Sequence, residues 1–493
     1  MAHKVLVVGG GLTGAVAAYK LREYLGRNVE IECWEYLNDA GGRLATTTDQ
    51  GVVADVATSV ISLDMGNVEA REFRDVLIPQ GYLKEATANV LAGSCERPSG
   101  PSWQHFFVPA GTSNLVDFLF RESRAKVKTN CCVDLISLDA ETWTWYVEAS
   151  SGKSVGSRQN GVSFDAVMLC NGPTHPGCDR MDNIWGEWQD CIDEELWDAL
   201  WRVSWSSCYV VTLSLTQDCL ESCDRFFGRH SIQRSIDDDL IQYITYESRK
   251  REMLTGKRSS SVVLVCHTTA EAMWHFKRAG CVQAVQDKVL QKYLKLPVWL
   301  SRKVVRRTHS RCWGKCQVKE TISSILHRNV SHSSSRNSSY PPLVLCGDYF
   351  LGPTCCDAIV SSIAAASTIL DALNPDDRRP VSKREHVKPS QNLSISSSSR
   401  WRWADEPVDE EGEEEEGVEE EEEEAAAAEK IIKQCMEDCG PTPPCKSLTP
   451  WSSPSRRWGG QGCTQSSTSC KPWSSPSRKW GRNGPRTQLV ACA

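Results

Sequence analysis

The sequence predicts an α/β fold in three parts. A nucleotide-binding domain built on a parallel sheet is assembled from separated segments, an α+β domain with a mixed or antiparallel sheet is interleaved with it, and a disordered tail follows. Three observations predict this. Residues 3 to 35 read strand, glycine turn, helix, strand. Buried-strand character returns at 164–173 and 341–350, the latter followed by a small-residue helix at 357–373. After residue 374 the composition changes abruptly.

In the first segment, VLVV is a continuous apolar run of the kind a strand covered on both faces carries, and Leu12 to Leu25 is helix-compatible. VEIECWE then alternates toward an acidic end. Gly9, Gly11 and Gly14 form G-x-G-x-x-G between strand and helix, where they permit a tight turn, backbone approach to a pyrophosphate and close helix packing. Thr13 stands inside the motif at the helix N-terminus, where amides and the dipole favour an anion. Glu35, at the end of the second strand, is placed to accept hydrogen bonds from a ribose. This unit alone does not separate a nicotinamide from a flavin dinucleotide.

AGGR (40–43) adds Gly41 and Gly42 for close backbone approach and Arg43, whose planar fork suits a pyrophosphate; the alternative is a turn with a surface arginine. SNLVDFLFRES (113–123) has helical spacing with Ser113 as N-cap, and KVKTNCCVDLISLD and WTWYVEA are β-prone. FDAVMLCNGP is a short buried strand stopped by Gly-Pro. Strands are expected at 208–215, 241–247 and 261–269, and a helix at 281–294. LCGDYF then ends a strand, with Asp348 placed for sugar or ribityl hydroxyls. The helix beginning near Asp357 and Ala358 aims its positive end at an isoalloxazine ring; the alternatives are a turn Asp and an N-cap Asp. Taken with the N-terminal unit, these features favour FAD. The expected boundaries are 1–60, 109–173 and 339–373 for the FAD-binding domain, 61–108 and 174–338 for the substrate domain, and 374–493 for the tail.

At 493 residues with 40% hydrophobic content the chain has enough for a sizeable core. Of its 63 acidic and 56 basic residues, the tail from Asn374 holds 21 and 17, leaving 42 against 39 in the body. That near-neutral body argues against nucleic acid or a polybasic membrane anchor as partners. The 23 cysteines lack the spacing of a disulfide framework or a paired zinc motif, and Cys33, Cys170 and Cys266 read as reduced core residues of a cytoplasmic protein. The N-terminal apolar run reads as first strand, not signal peptide, and no stretch reaches the 18 apolar residues of a membrane span. The tail is rich in Ser and Pro at 380–399. Asp and Glu supply 15 of the 20 residues at 405–424, and PWSSPSRRWG recurs as PWSSPSRKWG 22 residues later. With few aliphatics it cannot offset its ordering entropy. Ser453 and Ser475, each in S-P-S-R, mark it as a candidate kinase or protein-partner site, with chance an equal reading.

Over about residues 3 to 373 the chain resembles the renalases, a branch of the FAD-dependent amine-oxidase-like superfamily. The stretches that carry the resemblance are VLVVGGGLTG, AGGRLATT, VADV, FVPAGTSNLV, FDAVMLC, VSWSSCYV, VCHTT, WGKCQV and LCGDYF with DAIVSSI. It implies that Gly9, Gly11, Gly14, Glu35, Arg43, Gly111, Asp348 and, through its backbone, Val133 hold FAD. The implied activity is oxidation of dihydronicotinamide dinucleotides reduced at the 2 or 6 position, or α-anomeric, by hydride transfer to flavin N5, with O2 reduced to hydrogen peroxide. It also implies partial export, in which case the sequons at Asn329, Asn337 and Asn392 matter. The chain departs from the pattern at Ala57-Thr58-Ser59-Val60, at Trp313-Gly314-Lys315-Cys316 and at Cys355-Cys356-Asp357-Ala358. Candidates for the substrate face are Ser59, Tyr209, His267, Trp313 and Lys315, each with a core or surface role as its alternative. For Lys315 the alternatives are assistance to oxygen activation and a solvated lysine in the basic run 302–319. Two other readings stand beside this one: a binding or signalling protein that keeps FAD without turnover, and an amine oxidase.

Overall fold

The computed structural model describes residues 2–374 apart from 87–90, 93–99, 152–160, 173–183, 229–231, 237, 273–277, 323–326 and 331–339. The tail, with Ser453 and Ser475, and the sequons at Asn337 and Asn392 lie outside the described residues. The fold is a Rossmann-like nucleotide-binding domain joined to a largely antiparallel sheet.

The first sheet runs in the order Arg328–Asn329, Leu343–Leu345, Ala166–Leu169, His3–Val8, Val29–Trp34, Lys126–Lys128. All of its pairs are parallel except the first. The chain winds outward from His3–Val8 in one direction and later resumes on the other side at Ala166–Leu169. The carboxyl ends of these two strands therefore form the switch point at which such sheets bind ligands. Both faces are covered, as the unbroken apolar runs require. Val5 and Val7 point into a core with the helices Leu12–Leu25, Thr112–Ser123 and Cys355–Leu373, while Leu6 and Val8 point into one with Trp34, Trp145, Phe164 and Phe350.

The second sheet runs Val305–Glu320, Ser204–Leu215, Val262–Thr268, Ile241–Tyr246, Gln233–Ser235, Leu91–Ala92, antiparallel except for the last pair. Alternation divides Ser204–Leu215 between two cores. Tyr209, Val211 and Leu213 face one, with helix Arg278–Asp287 and its π-helical continuation Lys288–Tyr293; Cys208 and Val210 face the other, with Val263, Val265 and the hairpin Thr46–Asp49/Val52–Asp55.

A buried ionic group fastens that hairpin to helix Glu247–Thr255. Lys250 Nζ meets Asp55 Oδ2 at 2.7 Å and also pairs with Glu247, and Arg251 Nη2 meets Asp55 Oδ2 at 2.8 Å. Asp55, Glu247 and Lys250 are fully buried. The group is held by main chain too: Thr112 N–H donates to Asp55 Oδ1 (2.8 Å), and Arg251 donates to the Val53 and Val108 carbonyls.

Several local expectations need correction. Helix Thr112–Ser123 is capped by Gly111, not Ser113, whose hydroxyl is hydrogen-bonded to that of Thr46 at 2.6 Å. Strand Arg328–Asn329, with the Asn329 sequon, joins the first sheet although 174–338 was assigned to the substrate domain. The segments Ile61–Asp64 and Trp103–Phe107, assigned there too, put Ile61, Leu63 and Phe106 into the core of helix Leu12–Leu25. Among the described residues one helix, Cys355–Leu373, is long and apolar enough by mean hydropathy to cross a membrane, although Asp357, Asp371 and its Ser and Thr residues keep it from being a continuous apolar run. It is packed in the core between the opening helix and the sheet, which accounts for its apolar composition. Every described cysteine is a free thiol, with Cys33 and Cys266 buried and Cys170 half-buried.

Candidate functional site

A cleft of about 610 Å³ opens at the switch point and runs between the two sheets. Its nucleotide end is main chain. Gly9, at φ +105°, turns the chain where a Cβ would come within 3.2 Å of the Asn171 amide. At Gly10 a side chain would collide with Glu35, whose carboxylate accepts from the Gly10 N–H (2.5 Å) and the Leu37 N–H (2.8 Å). A Cβ on Gly14 would sit 2.0 Å from the Gly9 carbonyl oxygen, so the helix can pack this closely on the turn only with glycine there. Gly41 hydrogen-bonds the Gly10 carbonyl (2.9 Å), bringing AGGR against the turn.

Of the expected cofactor residues, Gly9, Gly11, Thr13, Glu35, Gly42, Arg43, Val133, Asp348 and Ala358 line the cleft. Val133 sits at a register shift in the hairpin Cys131–Asp139/Thr144–Ser151. Gly14, Gly111 and Asp357 do not line it. Gly14 is the contact between helix and turn, and Gly111 (φ +99°) is pressed against Val53 and Thr46. Asp357 is spent on a capping box. It accepts from the Thr354 N–H (2.9 Å) while its own N–H donates to Thr354 Oγ1 (3.2 Å), so the helix begins at Cys355 with Thr354 as N-cap.

Arg43 and Asp348 behave differently from their separate expected roles. They form a two-pronged pair, Nη1–Oδ2 2.6 Å and Nη2–Oδ1 2.8 Å, with Asp348 buried. The charge of Arg43 is thus matched by a carboxylate before any anion arrives, which leaves neutralisation of a pyrophosphate to the N-terminus of the opening helix, whose first turn holds no acidic residue.

The far wall comes from the second sheet and from residues 57–60. Ser59, His267, Trp313 and Lys315 line it. Tyr209 does not: its neighbour Cys208 faces the cleft, so strand alternation turns Tyr209 into the opposite core. His267 stacks on Tyr243 at 4.2 Å between ring centroids, and its Nε2 is buried without a hydrogen-bond partner. Burial, and secondarily Lys250, push the His267 pKa down to about 3, so the ring is neutral. Trp313 donates its indole N–H to the Val56 carbonyl (2.9 Å) under the Arg311 guanidinium. Lys315 lies over the Trp205 ring at 5.6 Å, which Arg43 also approaches, at 5.1 Å. Sequence reasoning missed Asn171, Cys208, Gln233, Gln242 and Tyr243 on this cleft, and named Cys316 and Cys355, which also line it, only as departures from the family pattern. For Asn171 a signal was present, since it follows the strand that forms the switch point. For Gln233 and Tyr243 there was none without strand pairing.

FAD fits these residues. A main-chain anion site, a buried carboxylate at the second strand's end and a polar far wall lie along one cleft, and two of its lining residues, Asn171 and His267, each hold a buried polar atom without a hydrogen-bond partner. Among the described residues no cluster of His, Cys, Asp and Glu could hold a metal.

Residues 7–74 match the NAD(P)-binding Rossmann-like domain family. The chain is 24% identical to mouse (Mus musculus) renalase over 357 residues, covering 70% of this chain and 92% of that protein. A solved structure from Exiguobacterium sp. 255-15, provisionally named a protoporphyrinogen oxidase, matches with a TM-score of 0.49 at 14% identity, over 75% of this chain and 99% of that one. The chain therefore carries a Rossmann-like dinucleotide-binding domain and is similar, over 70% of its length, to renalase.

Proposed function

We propose that the protein is a flavin-dependent oxidoreductase: a renalase-like FAD oxidase that takes dihydronicotinamide dinucleotides reduced at the 2 or 6 position, or α-anomeric, with O2 as acceptor. The observation that carries this reading is the single cleft that joins the glycine turn and Glu35 to the His267 wall. Bound there, FAD supplies the two-electron acceptor for a hydride and the site at which O2 becomes hydrogen peroxide.

The chain's own residues do the positioning. Gly9, Gly11 and the opening helix hold the pyrophosphate, and Glu35 holds a ribose. The first turn of the closing helix, through Thr354, Cys355 and Ala358, presents its positive end to the cleft. On the far wall Gln233 and Gln242 offer amides beside the neutral His267 ring, which suit the carboxamide of a nicotinamide ring. The similarity to renalase supports the substrate class. As a small-molecule oxidase, the protein would need neither nucleic acid nor an integral membrane segment, and a cytoplasmic location is proposed with it.

The test uses the full-length, FAD-loaded protein mixed anaerobically with 6-dihydroNAD. The expected result is loss of the visible flavin absorbance within seconds, and its return with hydrogen peroxide when O2 is admitted. Flavin that stays oxidised overturns the assignment and favours a binding protein that keeps FAD without turnover; reduction by a primary amine instead makes it an amine oxidase.

A further inference from the structure

We propose that Cys208 and Cys316 form a peroxide-reactive thiol pair in the cleft wall, with Cys316 as nucleophile, Cys208 as resolving thiol and an intramolecular disulfide as product. The pairing of Ser204–Leu215 with Val305–Glu320 makes the pair. Cys208 stands opposite Trp313 and Ser206 opposite Gln317, so Ser207 alone faces Gly314, Lys315 and Cys316. Such a bulge re-aims side chains. Here it brings the Cys316 sulfur back to 3.4 Å from the Cys208 sulfur, with the Cys208 thiol donating to it. Both residues line the cleft; Cys208 is 5% exposed and Cys316 half-buried, so a small oxidant reaches them where a large one does not.

The two sulfurs are not equivalent. Cys316 is held below the usual thiol range, first by the hydrogen bond from Cys208 and then, against the effect of burial, by Arg43, whose Nη1 also donates to the Cys316 carbonyl (3.3 Å). Cys208 is pushed upward by the same hydrogen bond and by burial. A second close pair, Cys170 and Cys346 at 3.5 Å, shows the contrast. Cys170 is raised by its hydrogen bond with Cys346 and by burial, and no cation is among the causes acting on it.

The chemistry balances with hydrogen peroxide as oxidant. The Cys316 thiolate attacks one peroxide oxygen, the O–O bond breaks, and the departing hydroxide leaves as water with the proton Cys316 gave up. Cys316 is then a sulfenic acid. The Cys208 sulfur displaces its hydroxyl, the S–O bond breaks, the S–S bond forms, and a second water carries off the Cys208 proton. Two thiols have given two electrons, and peroxide has become two waters. The inference rests on the proposed oxidase only for the origin of peroxide inside the cleft.

The test supplies hydrogen peroxide directly to the full-length protein with no dihydronicotinamide present, so it stands or falls apart from the oxidase assignment. Free thiols are then blocked and peptides mapped by mass spectrometry. The expected result is a Cys208–Cys316 disulfide, reversed by dithiothreitol, with Cys316 consumed at least roughly tenfold faster than the exposed Cys312 and with Cys170 and Cys346 still reduced. Cys208→Ser should leave a Cys316 sulfenic acid that dimedone traps. Cys316 reacting no faster than Cys312, or Cys170 and Cys346 joining as readily, overturns the proposal, and the wild-type map decides this even if a variant fails to fold.

Discussion

At the glycine-turn end of the cleft the wall is main chain, whereas at the His267 end it is side chain. The first end is fixed by close approach: at Gly14 a Cβ would stand 2.0 Å from the Gly9 carbonyl oxygen, which excludes it, and at Gly10 it would press on Glu35 at 3.0 Å. The second is assembled from strands that meet only in the folded sheet, such as Tyr243 opposite His267 and Val210 opposite His267. The difference teaches where change is tolerated. A backbone-built wall rejects almost any substitution, and a side-chain-built wall accepts many, each altering what it recognises. The departures at 57–60 and 313–316 lie on the second wall, the third opens the closing helix at Cys355, and the glycines of the first are intact.

The comparison breaks most severely at the joint between the two regions. Lys250→Met removes one of the two cations that face Asp55 and Glu247, both fully buried, and leaves Arg251 alone to balance two carboxylates. The expected cost is about 3–5 kcal/mol, read as a lower urea midpoint. Next comes the backbone wall itself. Gly14→Ala forces helix and turn apart and should cost about 1–3 kcal/mol, with purified protein that has lost its yellow colour. An unchanged flavin content would show that the close approach at Gly14 is dispensable.

The far wall is sharpened by pH. Because the folded pKa of His267 is near 3 and its ordinary value is 6.5, the unfolded chain binds a proton between these values that the folded chain does not. Stability therefore rises with pH through this window and falls as the solution is acidified below 6.5. Between pH 6.5 and 5 the loss should be about 2 kcal/mol, from about 1.4 kcal/mol per unit. His267→Gln should remove that part of the slope in urea melts at pH 5 and 7 while flavin stays bound; an equal slope in the variant assigns the acid sensitivity elsewhere.

The first sheet and its glycine turn were legible because continuous apolar runs and glycines act locally. VLVV declares a buried strand without reference to any partner, and PPLVLCGDYF does so for Leu343–Leu345, although the strand expected over 341–350 stops there and Asp348–Phe350 turns into a 3-10 helix. Tyr209 was misplaced for want of the pairing partner: an alternating strand has two faces, and only the sheet shows which one the cleft takes. The Arg43–Asp348 pair spans 305 residues of chain, and each member alone looks like a cofactor ligand. The bulge that sets Cys316 beside Cys208 is likewise a property of two strands, invisible in WGKCQV by itself.

Asp357 gives the smallest effect and the cleanest separation of role from appearance. By position it stands at the start of the helix that faces the cleft, where a carboxylate looks suited to a cofactor. Its side chain instead closes the capping box with Thr354, accepting from that residue's N–H and hydroxyl. It does not line the cleft, and burial raises its pKa although the Thr354 hydrogen bonds oppose this. Asp357→Asn keeps an acceptor oxygen and should cost no more than about 1 kcal/mol of stability, the usual worth of a cap, with FAD affinity unchanged in a titration of the apoprotein. Loss of FAD affinity beyond what that destabilisation explains would return Asp357 to the cofactor. Retention would show that the helix end acts on the cleft through its main chain, with Thr354, Cys355 and Ala358 as the groups that meet the ligand.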